Sequence, residues 1–178
     1  MAMKRCFLSL ILLFLLAVPV QAEACYSERE VGAENALRLH SEMMVVAVTC
    51  RQTSQGRDLV KAHTQFTKKH IDTIKEAEAV MIAFYKDSHG GDGLAQLDAL
   101  RTKLANEFGQ MSADETPPTF CHHRRDKIMV LYDSPSLRLF ETGMTLYAGA
   151  PSYAPVCNED NVAKIAQKSK GLRARKPS

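Results

Sequence analysis

Residues 57–88 read RDLVKAHTQFTKKHIDTIKEAEAVMIAFYKDS, and the reading of this stretch decides the fold. Leu59, His63, Phe66, His70, Ile74, Ala77, Met81 and Phe84 step by threes and fours, with no proline or glycine among them. That is the period of a helix with one buried face, and an unbroken helix of this length would run about 46 Å. His89-Gly90-Gly91-Asp92-Gly93 follows, where glycine ends the helix and Asp92 is placed to cap the next one. A phosphate-cradling loop would need a strand before it and a Lys-Ser/Thr pair after it, and neither is there.

Working outward, the same period recurs on both sides. Ser27-Glu28-Arg29-Glu30 has the spacing of a capping box. Behind it Ala33, Leu37, His40, Met44 and Ala47 form a stripe that reaches Cys50, and residues 43–48 are apolar throughout. This first helix is therefore expected to be buried on most sides. Thr53-Ser54-Gln55-Gly56 reads as a turn. Downstream, Leu94, Leu97, Leu100, Leu104, Phe108 and Met111 make a third stripe, and Phe120 to Tyr132 a fourth. Ser134-Pro135 resembles an N-cap and first-turn pair for a fifth, with Leu137, Phe140, Met144 and Tyr147. Residues 149–157, with Pro151 and Pro155, are expected to be extended, and a short helix should start at Asn158-Glu159-Asp160. The pattern predicts one all-α, up-down bundle of about five helices within residues 23–160.

The flanks differ from this domain. Lys4 and Arg5 precede an apolar run from Phe7 to Val18, then Pro19 and the small residues around Ala22. That is the layout of a cleaved signal peptide over residues 1–22. Twelve apolar residues reach only about 18 Å as a helix, short of a bilayer core of about 30 Å. Nothing later is apolar long enough to span a membrane. The expected location is the bacterial periplasm or the secreted medium. Residues 23–160 hold 15 basic and 20 acidic residues, whereas residues 161–178 hold six basic and none acidic. An acidic body thus carries a basic tail, expected to begin as a short helix and then fray.

Export gives the cysteines their meaning. Cys25, Cys50, Cys121 and Cys157 remain after the leader, and four cysteines in an oxidising compartment read as two disulfides. A helix ending at Cys50 puts that residue some 30 Å from its other end. The short segment from Cys25 to Val31 cannot span that distance. In an up-down bundle Cys50 and Cys121 share one end, while an extended stretch brings Cys157 back toward Cys25. The predicted pairs are Cys50–Cys121 and Cys25–Cys157.

Candidate chemistry is sparse. Nucleophilic catalysis needs an activated serine or cysteine beside a base. The thiols are expected to be paired and no G-x-S-x-G is present. Glu76, Glu78, Asp98 and Glu107 fall on polar helix faces, where solvation is the expected role. No catalytic constellation is found. His40, His63 and His70 lie along apolar seams, with His122 and His123 beside Cys121. Neutral imidazoles of this set could take zinc or copper, or change charge near pH 6, although no HExxH spacing supports a metal. Lys164, Lys168, Lys170, Arg173, Arg175 and Lys176 could meet an anionic envelope component. Nucleic acid is disfavoured, since the tail has no aromatic residue for stacking. The sequence therefore points to an exported protein that acts by binding an envelope protein or an anionic envelope component. A histidine-based metal- or pH-responsive protein is the first alternative, and a small hydrolase built around His70 is the second.

Overall fold

The computed structural model describes residues 24–134, 138–158 and 160–161. Six helices are present among them: α1 (Glu28–Thr49), α2 (Gly56–Lys69), α3 (Ile71–His89), α4 (Gly93–Asp114), α5 (Pro117–Asp133) and α6 (Leu139–Leu146). They pack as one bundle, and no strand forms among the described residues. A single parallel bridge joins Tyr26 to Val156.

Helix α1 is the axle of the bundle. It packs against all five of the other helices, and Gly32 to Leu39 is buried without a break. Its start is the expected capping box: the Ser27 hydroxyl accepts from Arg29 N–H, and Ser27 N–H donates to Glu30 Oε2 at 2.7 Å. Helix α4 begins as expected too, with Asp92 Oδ1 accepting from the Leu94 and Ala95 amides. Just before it, Gly90 takes a left-handed conformation at φ 62° and ends α3.

Two element boundaries correct the sequence reading. The long helix of residues 57–88 is two helices, broken at His70, whose backbone sits at φ −109°, ψ 15°. The break is what raises the helix count from about five to six. On either side of it, Phe66, Ile74 and Ala77 are buried in the shared core. The arms face different neighbours, α2 lying against α5 and α3 against α4. A straight 46 Å rod could not follow both, so the chain bends where a buried imidazole replaces an aliphatic side chain. Second, the last helix starts at Leu139 with Arg138 before it, and Ser134 closes α5. The expected Ser134-Pro135 start therefore does not form as read, and residues 135–137 lie outside the described residues.

Both predicted disulfides are present, Cys25–Cys157 and Cys50–Cys121, with Cα atoms 5.0 and 5.7 Å apart. Cys50–Cys121 ties the end of α1 to the second turn of α5 inside the core. Cys25–Cys157 ties the start of the described chain to the extended segment after α6. At the far end, Asn158 Oδ1 accepts from Asn161 N–H at 2.8 Å, the expected start of a short turn of helix. No helix among the described residues is long and apolar enough to cross a membrane. Residues 1–23, where the signal peptide is expected, and residues 162–178 of the basic tail lie outside the described residues.

Candidate functional site

Helix α1 carries Glu34, Arg38 and Glu42 at successive four-residue steps, so the three stack on one face. All three are buried, at 1%, 1% and 0% exposure. Charges so far from water need partners, and each has them. Arg38 Nη2 donates to Glu34 Oε1 at 2.8 Å and to the Pro151 carbonyl at 3.0 Å. Its Nη1 donates to both oxygens of Glu107, at 2.8 and 2.7 Å. The guanidinium also lies 5.7 Å from the ring centroids of Tyr147 and Tyr153. Glu34 accepts from Tyr153 N–H at 3.1 Å. Glu42 accepts from Arg124 Nη1 at 2.8 Å, Lys127 Nζ at 2.5 Å and the Tyr147 hydroxyl at 2.5 Å.

The electrostatic consequences follow from geometry. Burial alone would raise the Glu42 carboxyl, but Lys127, Tyr147 and Arg124 outweigh it and hold it below its ordinary value. Burial, reinforced by the Glu42 charge, pushes the Tyr147 phenol far up, so it stays a neutral donor. Tyr26 is raised likewise by burial and by its hydrogen bond to Tyr85, 3.1 Å between hydroxyl oxygens. The ladder is thus a set of charge pairs that hold α4, α5 and the segment after α6 onto α1. Glu107, expected on a solvated face, is one of its members. Sequence reading missed the ladder because an acid-base-acid run at four-residue spacing also describes a solvent-exposed helix face. The available signal was the flanking sequence: Ala33, Ala36, Leu37 and Leu39 leave no side of α1 between Gly32 and Leu39 for water.

The histidines do not gather into one site. His40 and His63 stack, with ring centroids 5.6 Å apart and planes at 21°. Imidazole lone pairs lie in the ring plane, so stacked rings aim their nitrogens side by side and do not converge on one ion. His40 Nε2 is instead 3.1 Å from Thr67 Oγ1. His70 packs on Phe66 at 4.6 Å, with its Nε2 buried and unpartnered, as is that of His63. Exposed His123 meets Glu115 at 3.0 Å, beside His122. Among the described residues, no group of three or more His, Cys, Asp or Glu is disposed to hold a metal ion. Burial lowers His40 to about 4, with further push from His63 and Arg101, and lowers His63 and His70 as well. His40 therefore stays neutral at pH 6, and burial moves the charge change of His63 and His70 downward from the ordinary imidazole value. No hydrogen bond among the described residues joins His70 to a carboxylate.

The surface carries a different kind of feature. Val130 on α5 is 72% exposed, the most of any large apolar side chain described. It lines an open cleft with Met129, Asp126, Asp133 and Ser134. The opposite face of α5 is buried through Phe120, Cys121, Ile128 and Leu131. The helix is therefore fixed by its inner face and free on its outer one. The tail residues Lys164, Lys168, Lys170, Arg173, Arg175 and Lys176 lie outside the described residues. Comparison with protein-family models, with curated proteins and with solved structures finds no match for this chain.

Proposed function

We propose that this protein is an exported binding protein of the cell envelope that holds a polypeptide partner on the outer face of α5. The observation that carries this reading is the contrast between interior and surface. The buried charges of α1 are spent on one another and on α4, α5 and the strap after α6. The exposed valine of α5 has no such internal use. Asp126 and Asp133 lie one turn either side of Val130, so the cleft presents an apolar anchor point between two carboxylates. The complementary partner is a segment with an apolar side chain flanked by lysine or arginine.

The location rests on two supports. The sequence of residues 1–22 has the form of an export signal, the two disulfides suit an oxidising compartment, and the periplasm supplies both. The basic residues between Lys164 and Lys176 would add attraction toward an anionic envelope component, independent of the α5 face. A hydrolase has less support, because His70 rests on Phe66 without an orienting carboxylate.

Photo-cross-linking from position 130 tests the proposal. With the oxidised protein in envelope extract, a cross-linker at residue 130 is expected to give one discrete adduct. The same group at exposed Thr102 on α4 should not. The adduct should survive removal of residues 161–178 and disappear with Asp126→Lys/Asp133→Lys. Equal yields from both positions, or an adduct indifferent to the charge reversal, would overturn the assignment.

A further inference from the structure

The two disulfides differ sharply in their access to solvent. Cys50 and Cys121 are 0% and 1% exposed, whereas Cys157 is exposed and Cys25 half-buried. Thiol–disulfide exchange requires a thiolate to reach a sulfur, so access separates the two bonds kinetically. The exposed bond also has a distinct mechanical position. It anchors residues 148–157, a strap that leaves α6 through a turn at Tyr147–Gly149 and lies over the Glu34–Arg38 pair. Tyr153 N–H donates to Glu34 and the Pro151 carbonyl accepts from Arg38. Nearer the disulfide, Tyr26 N–H donates to the Pro155 carbonyl, and Cys157 N–H to the Tyr26 carbonyl, both at 2.8 Å.

We propose that Cys25–Cys157 is a thiol-exchange site, a latch whose opening by a dithiol reductant frees the strap from Glu34 and Arg38 while Cys50–Cys121 and the helical bundle stay closed. One thiolate of the reductant attacks Cys157 Sγ. A mixed disulfide forms, the Cys25–Cys157 bond breaks, and the electron pair leaves on Cys25 Sγ, which takes a proton from water. The second thiol, deprotonated, attacks the reductant's own sulfur in the mixed disulfide and expels Cys157 as a thiolate, which is protonated in turn. The dithiol ends as a disulfide, oxidised by two electrons, and the protein gains two thiols.

Without the latch, the strap is held to the bundle, among the described residues, by four hydrogen bonds, two of them to charged side chains, by Arg38 and Lys103 over the Tyr153 ring and by Ala154 against the core. Against these stands the entropy of ordering ten residues, Gly149 among them. The balance favours release. Its consequence is specific: Arg38 loses a carbonyl and Glu34 an amide, so two charged groups that are closed to water in the oxidised protein become reachable in the reduced one. This inference rests on the strap alone and is independent of the α5 face.

The test uses the oxidised full chain and dithiothreitol as the dithiol, with timed quenching, differential alkylation of the four cysteines and amide exchange on the same samples. Cys25–Cys157 is expected to open at least about tenfold faster than Cys50–Cys121. The Tyr153 and Cys157 amides should lose protection in step with it, while α1 and α4 keep theirs. Simultaneous opening of both bonds would overturn the latch, as it would mean that exchange follows global unfolding. So would opening of Cys25–Cys157 with the strap amides still protected. A Cys25→Ser/Cys157→Ser variant separates release from reagent effects: its strap amides should exchange like those of the reduced protein with no reductant present.

Discussion

Arg38 on α1 and Glu107 on α4, 69 residues apart, meet with Nη1 at 2.8 and 2.7 Å from the two carboxylate oxygens. The same guanidinium holds Glu34 one turn back, so a single side chain neutralises two acids and ties the strap as well. Removing one partner of a buried pair leaves an uncompensated charge, which typically costs about 3–5 kcal/mol. Arg38→Met should therefore lose about that much in urea unfolding. Glu34→Gln combined with Arg38→Met should cost less than the sum of the single changes, with a coupling above about 1 kcal/mol. Additive losses would show that the ladder is not one unit.

His70, buried, and His40 and His63, half-buried, give stability a defined acid limb. Their pKa values lie below the ordinary 6.5, about 4 for His40, because burial disfavours the imidazolium. The unfolded chain then binds more protons between the two values. Stability contributed this way is complete above pH 6.5 and falls as pH drops from 6.5 toward 4. For His40 the loss is on the order of 3 kcal/mol at most. Glu42, held below its ordinary 4.5, extends the decline to lower pH as its carboxylate takes up a proton. Unfolding midpoints should thus hold level from pH 7.5 to about 6.5 and fall from there to pH 4, and His40→Gln/His63→Gln should flatten that fall. A flat wild-type profile in that window would contradict the burial of these rings.

Two glycines should respond in opposite directions to alanine. A Cβ at Gly143 would stand 2.8 Å from the Asn35 carbonyl carbon and oxygen and 3.0 Å from Ala36 N, backbone atoms that cannot yield. Gly143→Ala should push α6 off α1 and cost about 1–3 kcal/mol. Gly109, inside α4, has nothing within 4 Å of an added Cβ. Gly109→Ala should stabilise by about 0.5–1 kcal/mol through helix propensity alone. Thermal unfolding of the two variants checks both signs.

Cys50–Cys121 closes a loop with a sequence separation of 71. The chain-entropy relation gives about 4 kcal/mol for such a loop. Cys50→Ala/Cys121→Ala should lower the unfolding midpoint by a corresponding amount, more than Cys25→Ser/Cys157→Ser does if the strap is the only part that the outer bond holds.

What the sequence made legible was local or set by chain reach. Ser27 with Glu30, and Asp92 before Leu94, are short-range patterns whose geometry is the same in any protein. The disulfide pairing followed from how far six residues can stretch and where helices end. The break at His70 was hidden because it answers to α5 and α4, neighbours that the local period does not encode. The Glu34–Arg38–Glu42 ladder was hidden for the same reason, as its partners Glu107, Arg124, Lys127 and Tyr147 come from three other elements. Val130 could not be placed either, because the run from Ile128 to Tyr132 is apolar on every side and only packing decides which residue faces out.

The most direct test of the account separates folding from binding at one position. Val130→Lys changes an exposed side chain on a helix fixed by its other face, so its unfolding midpoint should stay within about 0.5 kcal/mol of the parent. The account predicts that this variant, folded as before, loses the adduct formed by a cross-linker at Ser134, which lines the same cleft. An unchanged adduct from the folded Val130→Lys protein would contradict the claim that α5 holds the partner.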